Sequence, residues 1–320
     1  MCVLGMFFAG KGIEYPVKRI AIGKIAARTL PFILVAVILA LTFFLPQTGT
    51  ETPQKRIIRI WNVDTFEGGK GSRSSFLKTV ARDVQKRDKN VYYLVTSYTA
   101  EGAAEAYRNG DCPDLLSFGV GLGEFAERSL SLNERFAGGM FGGEPIAYPW
   151  CRGSYFLFSL TDNFGEEGKT AISCGGQNLA CLAAMEEGIV GTEAESVAAY
   201  TGFLKGEYRY LLGTQRDVCR FAARGVEVYQ KPLTAYCDLY QYISILSAEH
   251  MEDCRVFLNR LLSFGQERLS EIGMYALADS DPPNAQRTIS VFSSQDALER
   301  LRTAVKEGET KIIEKNLKSI

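Results

Sequence analysis

Histidine is nearly absent from this chain: His250 is the only one in 320 residues. That excludes Ser-His-Asp and Cys-His catalysis except through this single side chain, and it excludes histidine-rich metal sites. His250 stands in the polar stretch SAEHMED at the start of a late helix, the ordinary place for an exposed histidine. The eight cysteines contain no C-x-x-C, so their spacing does not describe zinc. Cys112, Cys151, Cys174, Cys181, Cys219, Cys237 and Cys254 lie in the larger, C-terminal part and cannot all pair. They read as small buried apolar residues, with room for one disulfide whose partners the spacing does not choose. Neither a metal nor a cofactor is expected. Repeats and low-complexity segments are also missing.

Charge of one sign is equally scarce. Lys and Arg number 36 against 37 Asp and Glu. Residues 1–28 hold five of the basic groups and Glu14, leaving 31 basic against 36 acidic groups beyond them, a net charge of −5. No long basic run occurs there, so nucleic acid is not an expected partner. Aromatics are plentiful, with 15 Tyr, 19 Phe and 2 Trp, enough for a core and for a stacking surface.

One long apolar run is present. Residues 29–46, TLPFILVAVILALTFFLP, carry no charge. As a helix they span about 27 Å, close to the hydrocarbon thickness of a bilayer. Lys11, Lys18, Arg19, Lys24 and Arg28 precede the run and hold that end in the cytoplasm. The reading is a cytoplasmic basic tail (1–28), a transmembrane signal anchor (29–46), a short linker (47–56) and an extracytoplasmic part of about 270 residues. A cleaved signal peptide is the rival, but its apolar core is shorter and ends at a small-x-small site, for which only Thr48 and Thr50 are available. The string Leu45-Pro46-Gln47-Thr48-Gly49 matches a cell-wall sorting pentapeptide. It follows its apolar segment instead of preceding it, and is read as chance.

Beyond the linker, strands and helices alternate. IIRIWNV (57–63), VYYLVTSYT (91–99) and DLLSF (114–118) are β-branched or aromatic runs. Between the first two lies an amphipathic helix over 72–88, with Ser72 as its cap and Phe76, Val80 and Val84 at a spacing of four. A short helix over 100–110 follows the second. This order predicts an α/β fold with parallel strands, whose ligands collect beyond the strands' carboxyl ends. Residues 119–145 read mainly as loop and 147–161 as a long strand-like run. Residues 169–188 read as strand, turn and helix, and 192–207 as a helix. The stretch 208–233 reads as two strands about a polar turn, and 238–246 as a strand. Late helices are expected over about 248–264 and 293–307.

Candidate site residues follow from this placement. The loop after the first strand holds Asp64, Glu67 and Arg73 among three glycines, beside a helix N-terminus with free N–H donors. It is not a Walker loop, because Lys70 is followed by glycine. Asp64 and Glu67 could accept from hydroxyls or hold a cation; Arg73 could hold an anion or pair with Glu67. Gly119-Val120-Gly121-Leu122-Gly123-Glu124 lacks the third glycine of a dinucleotide loop, yet places Ser117 as a contact. Trp61, Trp150, Tyr155, Tyr236 and Tyr240 offer faces for a sugar ring or, equally, rings for the core. Gln177 and Asn178 precede an apolar helix. Gln215 and Arg216 lie in a polar knot, where Arg216 could bind a carboxylate or phosphate bidentately or pair with an acid such as Asp217.

Three stretches then resemble the extracellular solute-binding proteins of bacterial ABC importers, particularly the carbohydrate-type, maltose-binding group. These are IIRIWNV with its following loop and helix, the run AYPWCRGSYFLFS, and MEDCRVFLNRLLSFGQERLSEIGMYALAD with Ser263, Gln266, Gly273 and Met274. The family's usual lipid-attachment cysteine is missing, and the exported part is shorter than most sugar binders. The resemblance implies a two-lobed, type II periplasmic-binding-protein fold with hinge strands. Lobe 1 would be 57–149, lobe 2 150–240, and 241–320 would return to lobe 1 and end in C-terminal helices packing on either lobe. It implies a monomeric receptor without catalytic residues that closes over a small polar solute, a sugar or oligosaccharide favoured, and hands it to an ABC permease. The alternatives are a membrane-anchored sensor acting on a receptor kinase and an extracytoplasmic glycosidase using a carboxylate pair such as Asp64 and Glu67.

Overall fold

The computed structural model describes residues 22–44, 55–175, 178–277 and 287–308. The chain divides into two units, Met1–Pro53 and Gln54–Ile320. The first contributes one helix among its described residues, α1 (Ile22–Phe44), with Pro31 inside it. Its described side chains run from Leu30 to Leu41 and are exposed. Among the described residues, no helix is long and apolar enough to cross a membrane.

The second unit begins with β1 (Arg56–Val63), α2 (Arg73–Arg87), β2 (Val91–Tyr98), α3 (Ala100–Arg108) and β3 (Leu115–Phe118). Ser72 caps α2 by accepting the Ser75 N–H at 3.3 Å, and Thr99 caps α3 through the Gly102 N–H at 3.0 Å. β1 pairs parallel with β2 on one side and with β3 on the other. A small hairpin, β4 (Met140–Phe141) and β5 (Glu144–Pro145), leads to β6 (Tyr148–Arg152), the last strand before the chain leaves this sheet.

The chain then builds a second sheet. Its elements are β7 (Tyr155–Ser159), β8 (Thr170–Cys174), α4 (Ala180–Glu186), β9 (Thr192–Glu195), α5 (Ser196–Leu204), β10 (Tyr210–Thr214), α6 (Gln215–Arg224) and β11 (Tyr229–Pro232). After β12 (Tyr236–Cys237), β13 (Tyr240–Ile245) returns to the first sheet. α7 (Met251–Arg260) continues through a π turn and a 3₁₀ segment to Ile272. A short strand, β14 (Arg287–Thr288), pairs with β12, and α8 (Gln295–Glu307) ends the described chain.

The two sheets share one plan. The first is ordered β2-β1-β3-β13-β6 and the second β9-β8-β10-β7-β11. In each, three parallel strands are followed by an antiparallel strand that arrives from the other sheet, then by an antiparallel edge. The fold is thus α/β and two-lobed, and β7 and β13 are the strands that enter after crossing.

Strand alternation decides what each face buries. In β7, Phe156 and Phe158 join Leu211, Phe203 and Phe221 under α5 and α6. Tyr155 and Leu157 face the opposite way, into the main core with Leu212 and Leu182. That main core runs without a break into Ile58, Ile60, Phe118 and Ile243 of the first sheet. The crossing point itself is compact. The Gly153 N–H donates to the Leu239 carbonyl at 2.6 Å, and Arg152 exchanges two 3.0 Å backbone bonds with Tyr275. Three passes of chain therefore meet there.

Candidate functional site

In both sheets the carboxyl ends of the parallel strands face the other lobe, where such sheets place their ligands. From lobe 1 come the 64–72 loop after β1 and residues 119–122 after β3. From lobe 2 come Gly175, Asn178 and Leu179 after β8, Glu195 at the end of β9 and Thr214 at the end of β10. Each lobe-2 helix starts at this edge. Glu195 caps α5 by accepting the Val197 and Ala198 N–H groups at 3.0 and 3.3 Å. Thr214 and Asp217 form a capping box on α6: the Arg216 N–H reaches Thr214 Oγ1 at 3.2 Å, and the Thr214 N–H reaches Asp217 Oδ2 at 3.0 Å.

α6 grips the lobe-1 loop. Gln215 Nε2 donates to the Glu67 carbonyl at 3.3 Å, and Arg216 Nη1 to the Gly68 and Gly69 carbonyls, both at 3.3 Å. Arg220 Nη2 meets the Glu67 carboxylate at 3.2 Å while its Nη1 holds Asp217 Oδ1 at 3.0 Å. Burial raises the pKa of Asp217, and the Thr214 N–H and Arg220 pull it back down. The loop cannot retreat far behind this grip. The Lys70 N–H donates to the Ile272 carbonyl at 2.8 Å, and a Cβ on Gly69 would overlap the Gly273 carbonyl. Each charge-assisted hydrogen bond here is worth about 1.5–3 kcal/mol when desolvated, and an exposed ion pair only about 0–1. Glu67 and Arg220 are partly exposed, so their pair sits toward the low end.

Under the loop lies a buried polar network. Ser117 Oγ donates to Asn62 Oδ1 at 3.1 Å and accepts from Trp150 Nε1 and Gln241 Nε2 at 3.1 and 3.0 Å. Asn62 Nδ2 donates to Asp64 Oδ1 at 3.2 Å, and Asp64 pairs with buried Arg73 at 2.7 Å. Arg73 also donates to the Phe66 carbonyl and lies 4.1 Å above the Phe66 ring. One side chain from each of β1, β3, β6 and β13 meets at Ser117, which fixes the strand ends as one block.

A second buried group sits at the crossing. Asp238, between β12 and β13, accepts the Tyr155 O–H at 2.5 Å and the Leu179 N–H at 2.9 Å. Burial pushes its pKa up to about 6, against the pull of those two hydrogen bonds. Burial also holds the Tyr155 hydroxyl well above its ordinary range.

The structure therefore separates the sequence-derived candidates. It brings Glu67, Gln215 and Arg216 together, while Asp64, exposed at the start of the same loop, pairs with buried Arg73. Asn178 accepts Arg302 Nη2 at its carbonyl, 2.7 Å away, and lines a cavity of about 320 Å3 with Glu67, Gly175, Glu193 and Glu195. A second cavity, of about 530 Å3, is lined by Lys70, Gln215, Cys219, Gln266 and Met274 on the other side of the grip. A larger apolar groove of about 690 Å3, between α4 and α8, shares no residue with the grip. Gln177 lies outside the described residues.

The aromatics are elsewhere. Trp61, Trp150, Tyr155, Tyr236 and Tyr240 are at most 2 % exposed and belong to the core. Trp150 stacks on Phe76 at 5.8 Å, Trp61 tilts against Tyr98 at 4.5 Å, and Tyr240 packs on Phe136 at 5.0 Å. Ser117, fully buried, belongs to the polar network. Aromatic surface is the cheapest thing to bury, so these rings close the sheets instead of facing a groove. His250 precedes α7, and the seven described cysteines are unpaired.

Sequence reasoning missed Arg220 and Asp238, and offered Asp217 as a partner for Arg216 where it pairs with Arg220. A signal existed for Arg220: Thr214-Gln215-Arg216-Asp217 is a capping-box pattern, which starts a helix and sets Arg220 one turn beyond Asp217. Nothing local marks Asp238.

No protein-family model and no curated protein sequence matches the chain. Solved structures do match its fold. The sugar-binding protein MalE from the phytopathogen Xanthomonas citri aligns with a TM-score of 0.57 at 12% identity, covering 82% of this chain and 96% of that one. RafE from Streptococcus pneumoniae aligns at 0.56 and 10% identity, over 83% and 97%. Iron-bound HitA from Pseudomonas aeruginosa aligns at 0.55 and 13% identity, over 78% and 99%. The fold is that of the two-lobed periplasmic binding proteins, and its neighbours include binders of chemically unlike solutes.

Proposed function

We propose that this chain is a membrane-anchored, extracytoplasmic solute-binding receptor. It captures a small polar solute between its lobes and delivers it to an ABC-type permease. The observation that carries this reading is the opposed carboxyl ends of two like-ordered sheets, joined through one compact crossing and bridged by polar side chains from both sides. Such an arrangement closes on a ligand by hinge rotation and needs no covalent step. Residues 29–46 serve as the single-pass anchor, with the basic residues before them in the cytoplasm and the domain outside, acting as a monomer. Asp64, Glu67, Asn178, Gln215, Arg216 and, added from the geometry, Arg220 contact the solute. A sugar or oligosaccharide remains the favoured solute of the sequence reading, supported by the fold it shares with MalE. Asp64 and Glu67 are each held by an arginine, which suits binding better than the free acid and base of a glycosidase.

A thermal-shift screen of the full chain against sugars, amino acids, polyamines and organic acids tests the proposal. One class should raise the melting temperature, since a ligand at 100 times its Kd adds about 2.7 kcal/mol. Silence from every class would overturn the receptor reading.

A further inference from the structure

We propose that Glu67 is a built-in stand-in for the solute's own anion: the solute carries a carboxylate or phosphate, and binds by displacing the Glu67 carboxylate from Arg220. This rests on the receptor reading above.

The groups that α6 presents across the lobes are donors only. They are Gln215 Nε2, Arg216 Nη1 and Arg220 Nη2, two of them cationic, and all are answered by lobe-1 oxygens. Lobe rotation that separates α6 from the loop removes those oxygens together. A neutral solute would then leave Arg216 without its two carbonyl acceptors and Arg220 with Asp217 as its one carboxylate, at a partly buried edge. A carboxylate or phosphate restores what Glu67 supplied.

Arg220 is also built to receive it. Its Nη1 is fixed by Asp217, itself buried and held by the Thr214 N–H within lobe 2, and its guanidinium lies 5.9 Å from the Tyr200 ring. These restraints survive loss of Glu67, so Nη2 keeps its aim at little entropic cost. On the other side of the Glu67 carboxylate lies Gly175, where even an added Cβ would stand 3.6 Å from Glu67 Cδ. A carboxylate therefore already fits between a strand-end glycine and a preset arginine, at the rim of the cavity of about 320 Å3.

The test compares the full chain with Glu67→Gln and Arg220→Gln, titrated with dicarboxylates, sugar phosphates and neutral sugars, while hydrogen exchange follows residues 64–70. Glu67→Gln should bind an anionic solute about tenfold tighter than the parent, the equivalent of ~1.4 kcal/mol. Its loop should exchange several-fold faster, and Arg220→Gln should lose the anion. Whether carboxylates or phosphates respond decides between the two sources of charge. If neutral sugars bind parent and Glu67→Gln equally and no anion binds, the inference fails while the receptor reading stands. Unchanged exchange at 64–70 in Glu67→Gln also overturns it. If no solute binds any of the three proteins, the receptor reading falls and takes the inference with it.

Discussion

Asp238 should make this protein less stable as pH rises from about 4 to 7. Its carboxyl is fully buried at the crossing, with a pKa of about 6 in the folded chain against 3.8 for an ordinary aspartate. Between those values the folded state holds a proton that the unfolded chain has released. Stability therefore falls with pH at up to about 1.4 kcal/mol per unit. The contribution is whole below pH 4 and gone once pH has passed 6, a total of about 3 kcal/mol. Asp238→Asn cannot ionise. Its amide can still accept from the Leu179 N–H and donate to the Tyr155 oxygen, so the contacts survive while the titration does not. Urea unfolding of parent and variant at pH 4.5 and 7.5 measures the difference. The variant's stability relative to the parent should rise by about 2–3 kcal/mol across that interval. Tyr155→Phe removes a hydrogen bond that lowers the Asp238 pKa, and should move the window to higher pH. Parallel pH profiles for parent and Asp238→Asn would refute the reasoning, because a carboxylate that ionises freely in the fold carries no such linkage.

Gly69→Ala should destabilise the protein by about 1–3 kcal/mol, since its Cβ would collide with backbone at Gly273 and has no side chain to push aside; denaturant midpoints at constant slope check this, and a neutral result would mean the loop does not rest where described. Cys174 and Cys181, both lining the cavity beside Glu67, have pKa values pushed up by burial to about 12 and about 11. They should react with a disulfide reagent at pH 8 at least tenfold more slowly than after unfolding, and equal rates would contradict their burial.

Local chemistry was legible where propensity, pattern and cap agreed. The strand expected at 57–63 runs from Arg56 to Val63, and the helix expected over 72–88 runs from Arg73 to Arg87 with Ser72 as its cap. Where tertiary contacts decide, the reading slipped. Residues 192–195 look helical by composition but form β9, because they pair with Ala171–Cys174 at the sheet edge. The polar knot at 213–217 is the end of β10 and the start of α6, since its polar residues cap a helix instead of making a turn. The run 147–161 is two strands of different sheets, parted at Gly153, where a Cβ would strike the Gln215 side chain. The site was half legible for a like reason. Polar loop residues at strand ends can be placed from topology, whereas the exposure of Trp150 or Tyr240 depends on which neighbours close over it. Phe76 and Phe136 come from distant parts of the chain.

The last helix bears on how far the lobes can swing. At its start, Gln295 donates to the Gly121 carbonyl and Ser294 bridges Gly121 and Leu122, all in lobe 1. Along its length, Arg302 and Lys306 are bound to Asn178 and Glu193 of lobe 2. A helix does not stretch, so this one behaves as a tie rod pivoting near Ser294. Any wide gape must first shed its bonds to one side, and small-angle breathing is the motion that leaves them all intact.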